Sequence, residues 1–308
     1  MKKILKGTAI GLVSLILAAV IAGGCIVFRY YPHYRSAEKQ YEVSGALTAD
    51  KDEIRVMSCN LRCINPLDTG KKSWFYRADL IMKNIENAAP GIIGFQEATK
   101  WQYDYLTRCL PGYDSVITYR DGSVNSEGCP VFYNKGVYSL IDKGSFWLSE
   151  TPEKMSRGWG AAFNRVCSYT ILKAKATGFE LIVFNTHLDH VSEEARINGI
   201  KLVLEKAREF GDRPLVLMGD LNAEVDTPTY AAATEIFDDA ALMTEDTDTA
   251  SCTYQAFGAS LDEGRIDYFM ISKHGLEVLK YNVIKDTYDG VYPSDHFPVF
   301  TVLKAVSE

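Results

Sequence analysis

Short apolar runs of strand length alternate with amphipathic stretches of helical period from residue 54 almost to the C-terminus. The mostly apolar runs Ile54–Cys59 and Pro214–Met218 predict buried strands. The clearest helix is Ser192–Phe210, because Ser192 suits the N-cap and Gly211 ends the periodic pattern. This alternation indicates an α/β fold with two sheets packed face to face and flanked by helices, although the pattern alone does not distinguish it from other α/β folds.

The same patterns place the other elements of one catalytic domain over residues 53–308. A Thr177-Gly178 turn predicts that the strands on either side of it pair as a hairpin. Further helices are predicted at Ala78–Ala89, Thr99–Leu110 and Thr227–Ile236. Further strands are predicted at Gly91–Gln96, Tyr113–Tyr119, Cys129–Asn134, Val137–Leu148, Ala161–Lys175, Phe179–Asn185, Arg265–Ile271, Leu276–Val283 and Phe297–Leu303.

The N-terminus carries a membrane signal. Residues 1–6 are a basic tail, and residues 7–28 contain no charged side chain. As a helix this uncharged segment would be roughly 33 Å long, enough to cross a bilayer core and longer than the core of a signal peptide. We therefore predict a cytoplasmic tail, an uncleaved transmembrane anchor at 7–28, a tether at 29–52 and an extracytoplasmic catalytic domain.

A lipoprotein is the alternative for this end of the chain. The stretch Ala22-Gly23-Gly24-Cys25 loosely resembles a bacterial lipobox, which would make Cys25 the lipid-bearing residue. Two features oppose this interpretation. The large apolar residue that usually stands three positions before the cysteine is missing, and Ile26–Phe28 continue the apolar run where a polar tether is expected.

The net charge of the chain is −7. An acidic surface repels polyanions at long range, which weighs against tight and nonspecific binding of nucleic acid. A bound divalent cation would invert the charge locally, so a nuclease is not excluded. The sequence also has no stripe of lysine and arginine that would indicate duplex DNA.

Polar side chains stand where several predicted strands end. Asn60, Glu97, His187 and Asp220 each follow an apolar run directly. Any one of them has an ordinary structural explanation, such as a turn or a helix cap. Their joint occurrence indicates a functional site, because α/β folds gather ligand-binding groups at strand ends.

Six short motifs occur in order between residues 54 and 303: Ser58-Cys59-Asn60-Leu61, Gly94-Phe95-Gln96-Glu97, Asn185-Thr186-His187-Leu188-Asp189, Gly219-Asp220-Leu221-Asn222, Arg265-Ile266-Asp267-Tyr268 and Ser294-Asp295-His296. Together they resemble the endonuclease/exonuclease/phosphatase superfamily. Two more stretches, at 146–152 and 157–162, look like a bacterial branch of it. The resemblance implies a deoxyribonuclease I-like two-sheet α/β sandwich and hydrolysis of phosphate esters.

The resemblance also implies a divalent metal site. Asn60 and Glu97 offer hard oxygen ligands, which suit Mg²⁺ or Mn²⁺ better than zinc. Asp295 is expected to add a direct or water-mediated contact. A metal held there would stabilise the charge that develops on the phosphoryl group.

Five further residues are expected to act on the phosphate or on protons, again by resemblance. Asp220 would orient or deprotonate the attacking water, and Asn222 would hold a phosphate oxygen. Both histidines would hydrogen-bond the phosphate. Asp267 would pair with His296 and fix its tautomer. Whether the aspartate or a histidine takes the proton stays open. The set is His187, Asp220, Asn222, Asp267 and His296.

Two arginines and one more histidine lie near these motifs. Arg165 either reaches the phosphate or forms a structural ion pair, and the sequence favours neither. Arg265 should point away from Asp267 and is interpreted as structural. His190 is expected at the rim of the site or at the start of a helix.

Three functions follow from the sequence. A phosphodiesterase of nuclease type is placed slightly first, and a phosphatase or phospholipase acting on lipid or sugar-phosphate head groups second. A catalytically inactive surface binding protein is disfavoured, because the expected metal and histidine set is complete. We further expect a monomer attached to the membrane through its N-terminal helix.

Overall fold

The computed structural model describes residues 10–26, 40–41, 43, 50–249, 252–261 and 264–306. Helix α1 covers residues 10–26, and α2–α5 are Trp74–Ala88, Lys100–Cys109, Glu193–Arg208 and Pro228–Ala233. Short 3-10 helices lie at Gly70–Lys72, Ala240–Leu242 and Ala256–Gly258. The strands β1–β14 are Glu53–Asn60, Ile92–Gln96, Ala98–Thr99, Tyr113–Val116, Glu127–Gly128, Val131–Asn134, Tyr138–Trp147, Val166–Ala174, Glu180–His187, Leu215–Asp220, Phe237–Asp239, Asp267–Ser272, Leu276–Val283 and Val299–Ala305.

Two six-stranded sheets form the centre of the domain, with the strand orders β13-β14-β1-β2-β6-β4 and β11-β12-β10-β9-β8-β7. In each sheet one parallel pair lies at the centre, β1 with β2 and β9 with β10, and all other pairs are antiparallel. Strands β3 and β5 pair separately as a small ribbon. The α/β sandwich with two sheets is therefore confirmed.

Three apolar layers hold the sandwich together. Because side chains alternate along a strand, Val56 faces the second sheet while Met57 faces α2 and α3. The middle layer lies between the two sheets, and Val183 is one of its members from the second sheet. The third layer packs the second sheet against α4, where Phe184 lies with Ile200. Burial of these faces is the main force that fixes the register of both sheets.

A buried polar bridge links the two sheets beneath their shared edge. Gln96 at the end of β2 donates to Asn185 of β9 at 2.7 Å. Asn185 in turn donates to the carbonyls of Phe95 and Pro130, both at 2.8 Å. Each side chain is fully buried. Buried amides are stable only with such partners, so this network fixes how the two strand ends lie against each other.

Several predicted boundaries differ from the structure. The strand expected at Ala161–Lys175 begins at Val166, because residues 161–165 form a loop that is held by hydrogen bonds to the Asp189 side chain and the Arg120 carbonyl. The helix expected at Ala78–Ala89 begins four residues earlier, at Trp74. The ribbon of β3 and β5 and the short strand β11 lack a clear apolar pattern and were not predicted.

The predicted transmembrane helix at residues 7–28 is not supported. Within the ranges that the structure describes, no helix is both long enough and apolar enough to cross a bilayer. The basic tail and most of the tether lie outside the described residues. Tyr41 and Val43, which the sequence assigned to the tether, are buried against the layer between the first sheet and its helices.

Candidate active site

The strand registers bring the predicted site residues to one edge of the sandwich. Asn60, the last residue of β1, is paired in register with Gln96, which directly precedes Glu97. Asp220, the last residue of β10, is paired with His187 on one side and with Asp267 on the other. Parallel central strands thus place their carboxyl ends together, as the sequence predicted.

Gly219 makes the close approach at this edge possible. Its φ is +140°, and a Cβ built on it would lie 1.9 Å from the carbonyl oxygen of Thr186. No other residue fits there without moving the strand that carries His187. The glycine of the Gly-Asp-x-Asn motif therefore sets the distance between β9 and β10.

On the first-sheet side, Asn60 links two carboxylates. Its Nδ2 donates to Glu97 Oε1 at 3.3 Å and to Asp220 Oδ2 at 3.0 Å, and its Oδ1 accepts from the backbone N–H of Arg62 at 2.9 Å. In this orientation the amide nitrogen of Asn60, and not its oxygen, faces the two carboxylates, so a metal contact shared with Glu97 would need the amide to turn. The role of Asn60 as a metal ligand stays a prediction.

The pKa values of Glu97 and Asp295 are shifted in opposite directions. Burial alone would raise the pKa of Glu97, but the N–H of Cys63 donating at 2.8 Å, with the charges of His296 and Arg62, lowers it. Burial raises the pKa of Asp295, which His296 opposes and Glu97 increases. Glu97 also has a left-handed φ of 57°, a strained conformation of the kind that clusters at functional sites.

Asp220 lies between two imidazoles at the centre of the site. Its Oδ2 is 3.5 Å from His187 Nε2 and 3.8 Å from His296 Nε2. Burial, reinforced by the nearby charge of Asp267, raises the pKa of Asp220 to about 7. A carboxylate with a pKa near neutrality is suited to take a proton from water.

The two histidines are shifted in opposite directions. Burial would lower the pKa of His296, but Asp267, whose Oδ2 is 2.9 Å from His296 Nδ1, outweighs it and raises the pKa to about 10. Burial and the charge of Arg165 lower the pKa of His187 well below its usual value. Near neutral pH, His296 is therefore charged and His187 is neutral.

The structure places Asn222 and Arg165 at the same cavity. Asn222 lies beyond the end of β10 with a left-handed φ of 48°, so it does not continue the strand alternation with Asp220. Its backbone N–H donates to Asp220 Oδ1 at 2.9 Å. Arg165 is buried against Asp189 at 3.4 Å and against His190 at 3.0 Å, and it also lines the cavity. Arg265 does not line this cavity: its guanidinium donates to both carboxylate oxygens of Asp239, at 2.9 Å and 2.5 Å.

These groups line one open cavity of about 480 Å³. Its catalytic floor, a name used below for one set of side chains, comprises Glu97, His187, Asp220, Asp295 and His296, with Asp267 behind His296. Sequence reasoning missed several lining residues because they follow no strand-end pattern. The missed residues are Arg62, Cys63, Arg120, Glu127, Phe163, Tyr254 and Ile266.

The donors of the catalytic floor fit a hard divalent cation. Glu97 and Asp295 offer carboxylate oxygens at the cavity, and burial, with the charge of Glu97 adding to it, raises the pKa of Asp295. Asp220, Asp267 and His296 also place one ligand atom each within 4.8 Å of one another. A charged imidazole is not a metal ligand, so this second group is better suited to proton transfer.

Two facing sheets carry buried carboxylates and histidines at a shared edge, an arrangement suited to a hydrolase of the α/β class. The chain belongs to the Endonuclease/Exonuclease/phosphatase family, whose sequence profile matches residues 57–296. The family and fold predicted from the six motifs are thereby confirmed.

Known relatives agree in fold over the whole domain. A crystal structure of a family member from Bacteroides thetaiotaomicron is 34% identical, covers 83% of this chain and 98% of its own, and gives a TM-score of 0.79. A mannosyl-6-phosphatase from Bacteroides thetaiotaomicron VPI-5482 is 35% identical, with 81% and 99% covered and a TM-score of 0.77. An uncharacterized protein of Acanthamoeba polyphaga mimivirus is 28% identical over 75% of this chain and 92% of its own.

Proposed function

We propose that the protein is a divalent-metal-dependent hydrolase of phosphate esters, and that its substrate is a phosphomonoester of a small alcohol such as a sugar. The observation that carries the first part is the catalytic floor, in which Asp220 lies between a neutral and a charged imidazole. No structural role requires several ionisable groups to be buried at one point, since burying them unpaired destabilises the fold.

The chemistry follows from the charge states. Water attacks phosphorus, Asp220 takes the proton, and the bond from phosphorus to the alcohol oxygen breaks; the alcohol oxygen leaves with the bonding electrons and takes a proton from solvent water. His296 stays charged through Asp267 and donates a hydrogen bond to the phosphoryl group. Asn222 and Arg165 line the same cavity and can orient the phosphate. A cation held by Glu97 and Asp295 would supply further stabilisation of the developing negative charge.

The shape and charge of the cavity support a small ester. A volume of about 480 Å³ lies within the range of small-molecule sites. Arg62 and Arg165 line it and suit a phosphate dianion. The 35% identical neighbour is named a mannosyl-6-phosphatase, which supports a sugar phosphate. The nuclease-type phosphodiesterase that the sequence placed first would use the same floor, but the net charge of −7 disfavours a polyanionic substrate.

A side-by-side panel tests the substrate class. The full chain would be given Mg²⁺ with a hexose 6-phosphate, p-nitrophenyl phosphate, bis-p-nitrophenyl phosphate, single-stranded DNA, RNA and phospholipid vesicles, with Asp220→Asn as the inactive comparison. We expect the hexose phosphate to have the highest kcat/KM. Preferential cleavage of a diester or nucleic acid would support the nuclease-type phosphodiesterase, and preferential cleavage of vesicle lipid would indicate a phospholipase.

The cellular location and the oligomeric state stay predictions from the sequence. We propose attachment to the membrane through residues 7–28, with lipidation of Cys25 as the alternative. Fractionation of cells that express the full chain, followed by mass measurement of the membrane-bound form, distinguishes the two. Recovery of the intact chain in the soluble fraction would contradict both. Sedimentation of the purified protein tests whether it is a monomer.

A further inference from the structure

One side of the cavity takes no part in the catalytic floor. It is formed by Arg120, Glu127, Phe163 and His190, which we call the Arg120–Phe163 wall. The guanidinium of Arg120 lies over the ring of Phe163, 4.6 Å from its centroid. His190 stacks on the same ring with centroids 5.9 Å apart and planes 17° apart. The wall is thus a layered surface that faces the reacting groups.

We propose that the Arg120–Phe163 wall is the subsite that binds the alcohol part of the substrate, and that it selects a polyhydroxylated, sugar-like group. This inference rests on the proposed function, because it assigns the part of the same cavity that the phosphate does not occupy. The phosphate is held by the catalytic floor, so the esterified alcohol has to extend toward one of the remaining walls.

The polar half of the wall is a fixed ion pair. Arg120 donates to both carboxylate oxygens of Glu127, at 2.8 Å and 2.9 Å, and the backbone N–H of Arg120 donates to the carbonyl of Glu127 at 2.9 Å. The side chains are 13% and 15% exposed, so both are mostly buried but still border the cavity. Such a bidentate pair keeps its geometry before a ligand arrives.

The loop that carries Phe163 is fixed to the same residues. The carbonyl of Arg120 accepts hydrogen bonds from Trp147 Nε1 at 2.9 Å and from Asn164 Nδ2 at 3.2 Å. The N–H of Ala162 donates to Asp189 at 3.1 Å. These bonds hold the chain on both sides of Phe163, whose ring is nevertheless 46% exposed. A preorganised subsite binds with little loss of conformational entropy.

The chemistry of the wall matches adjacent hydroxyl groups. Each oxygen of Glu127 has one acceptor position left after the bond from Arg120, and the guanidinium of Arg120 has more donors than the pair uses. A sugar presents neighbouring hydroxyls that both donate and accept at this spacing. Its C–H groups can pack against the exposed part of Phe163 while the hydroxyls meet the ion pair.

Other alcohols fit the wall less well. An acyl chain would cover the Arg120–Glu127 pair without bonding to it, which is unfavourable because a buried ion pair needs its remaining hydrogen bonds satisfied. A nucleobase would have to compete with Arg120 and His190, which already stack on Phe163. A polyhydroxylated group requires neither change.

The test compares two phosphomonoesters in the full chain with Mg²⁺. Hexose 6-phosphate has hydroxyls that can reach the wall, and p-nitrophenyl phosphate has none. We expect Glu127→Gln to lower kcat/KM for the hexose phosphate by about tenfold or more, chiefly through KM, because a hydrogen bond to a charged group is lost. The loss with p-nitrophenyl phosphate should be several times smaller. Glu180→Gln is the matched control, since Glu180 pairs with Arg213 at the surface and not at the cavity.

Each result decides the inference. Equal losses on both esters would mean that Glu127 only supports the fold, and no loss on either would mean that the wall does not touch the substrate. A wild-type preference for 5′-nucleotides that Phe163→Ala abolishes would assign the wall to a base. If no ester is hydrolysed, the proposed function fails by itself. Calorimetric binding of hexose 6-phosphate then tests whether the wall binds the sugar. Binding that Glu127→Gln weakens supports the proposal, and binding that is absent or unchanged in the variant overturns it.

Discussion

The catalytic floor and the Arg120–Phe163 wall face each other across one cavity, but the fold builds them differently. The floor is carried by strand ends whose register is fixed by the apolar layers of both sheets. Arg120 and Phe163 of the wall lie in the segments 117–126 and 148–165 between strands, which are held by side-chain to backbone bonds. Glu127 is in the short strand β5, and His190 lies in the loop after β9. Chemistry thus rests on the rigid part of the fold, and selectivity is expected in its loops.

The comparison is tested most strongly by removing a carboxylate from the floor. We expect Glu97→Ala to lower kcat about a thousandfold on every ester, because the cation site and its charge stabilisation are lost together. Rates with hexose 6-phosphate and p-nitrophenyl phosphate, measured beside Glu180→Gln, check this. A loss confined to one of the two esters would mean that Glu97 belongs to recognition and not to the common chemistry.

Removing the charge of Asp267, which lies behind His296, should have the next largest effect on the rate. Asp267→Asn removes the charge that raises the pKa of His296 to about 10. We expect kcat to fall about a hundredfold and the decline of the rate at alkaline pH to begin at a lower pH, because the imidazole loses its proton earlier. Rate profiles between pH 6 and pH 10 for the variant and the wild type measure both. An unchanged alkaline limb would show that the charge of His296 is not needed.

The aromatic part of the wall should matter less and only for some substrates. We expect Phe163→Ala to lower kcat/KM for hexose 6-phosphate about tenfold, because the contact with the sugar and the support of Arg120 are lost. Phe163→Leu keeps an apolar side chain and should lose less. Steady-state kinetics on both esters separate the wall from the floor. A decrease of the same size on p-nitrophenyl phosphate would remove the distinction between the two regions.

The opposite pKa shifts of the two histidines predict opposite effects of pH on stability. The pKa of His187 is lowered in the fold, so its contribution to the free energy of unfolding is present above the unfolded value of about 6.5 and is lost as pH falls. The pKa of His296 is raised, so its contribution is present below about 6.5 and is lost as pH rises toward about 10. Urea unfolding in EDTA measures both limbs.

Two variants assign these limbs. His187→Gln should flatten the dependence of unfolding free energy on pH only on the acid side, and Asp267→Asn should flatten it on the alkaline side and should also lower the pKa of Asp220, which Asp267 raises in the wild type. Parallel curves for the variants and the wild type would show that neither histidine is shifted by its surroundings in the fold.

Part of the floor could be predicted from the sequence because strand ends leave a local signal. Asp295 and His296 leave no such signal and were expected only from the resemblance of their motif. An apolar run that stops at Asn60, Glu97, His187 or Asp220 is visible without the fold, and parallel pairing then brings these residues together. The wall leaves no such signal. Arg120 and Glu127 lie in a turn-rich segment. The sequence predicts a strand at Phe163, whereas the structure has a loop there, because the hydrogen bonds that hold this loop come from residues distant in sequence.

The central claim is that the floor hydrolyses phosphate esters with the help of a divalent cation. Release of inorganic phosphate from hexose 6-phosphate, followed while Mg²⁺ is added back to the EDTA-treated full chain, tests it most directly. We predict no release without the cation, saturation as Mg²⁺ rises, and no recovery in Glu97→Ala at any concentration. Release at the full rate in EDTA, or full recovery by Glu97→Ala, would contradict the claim.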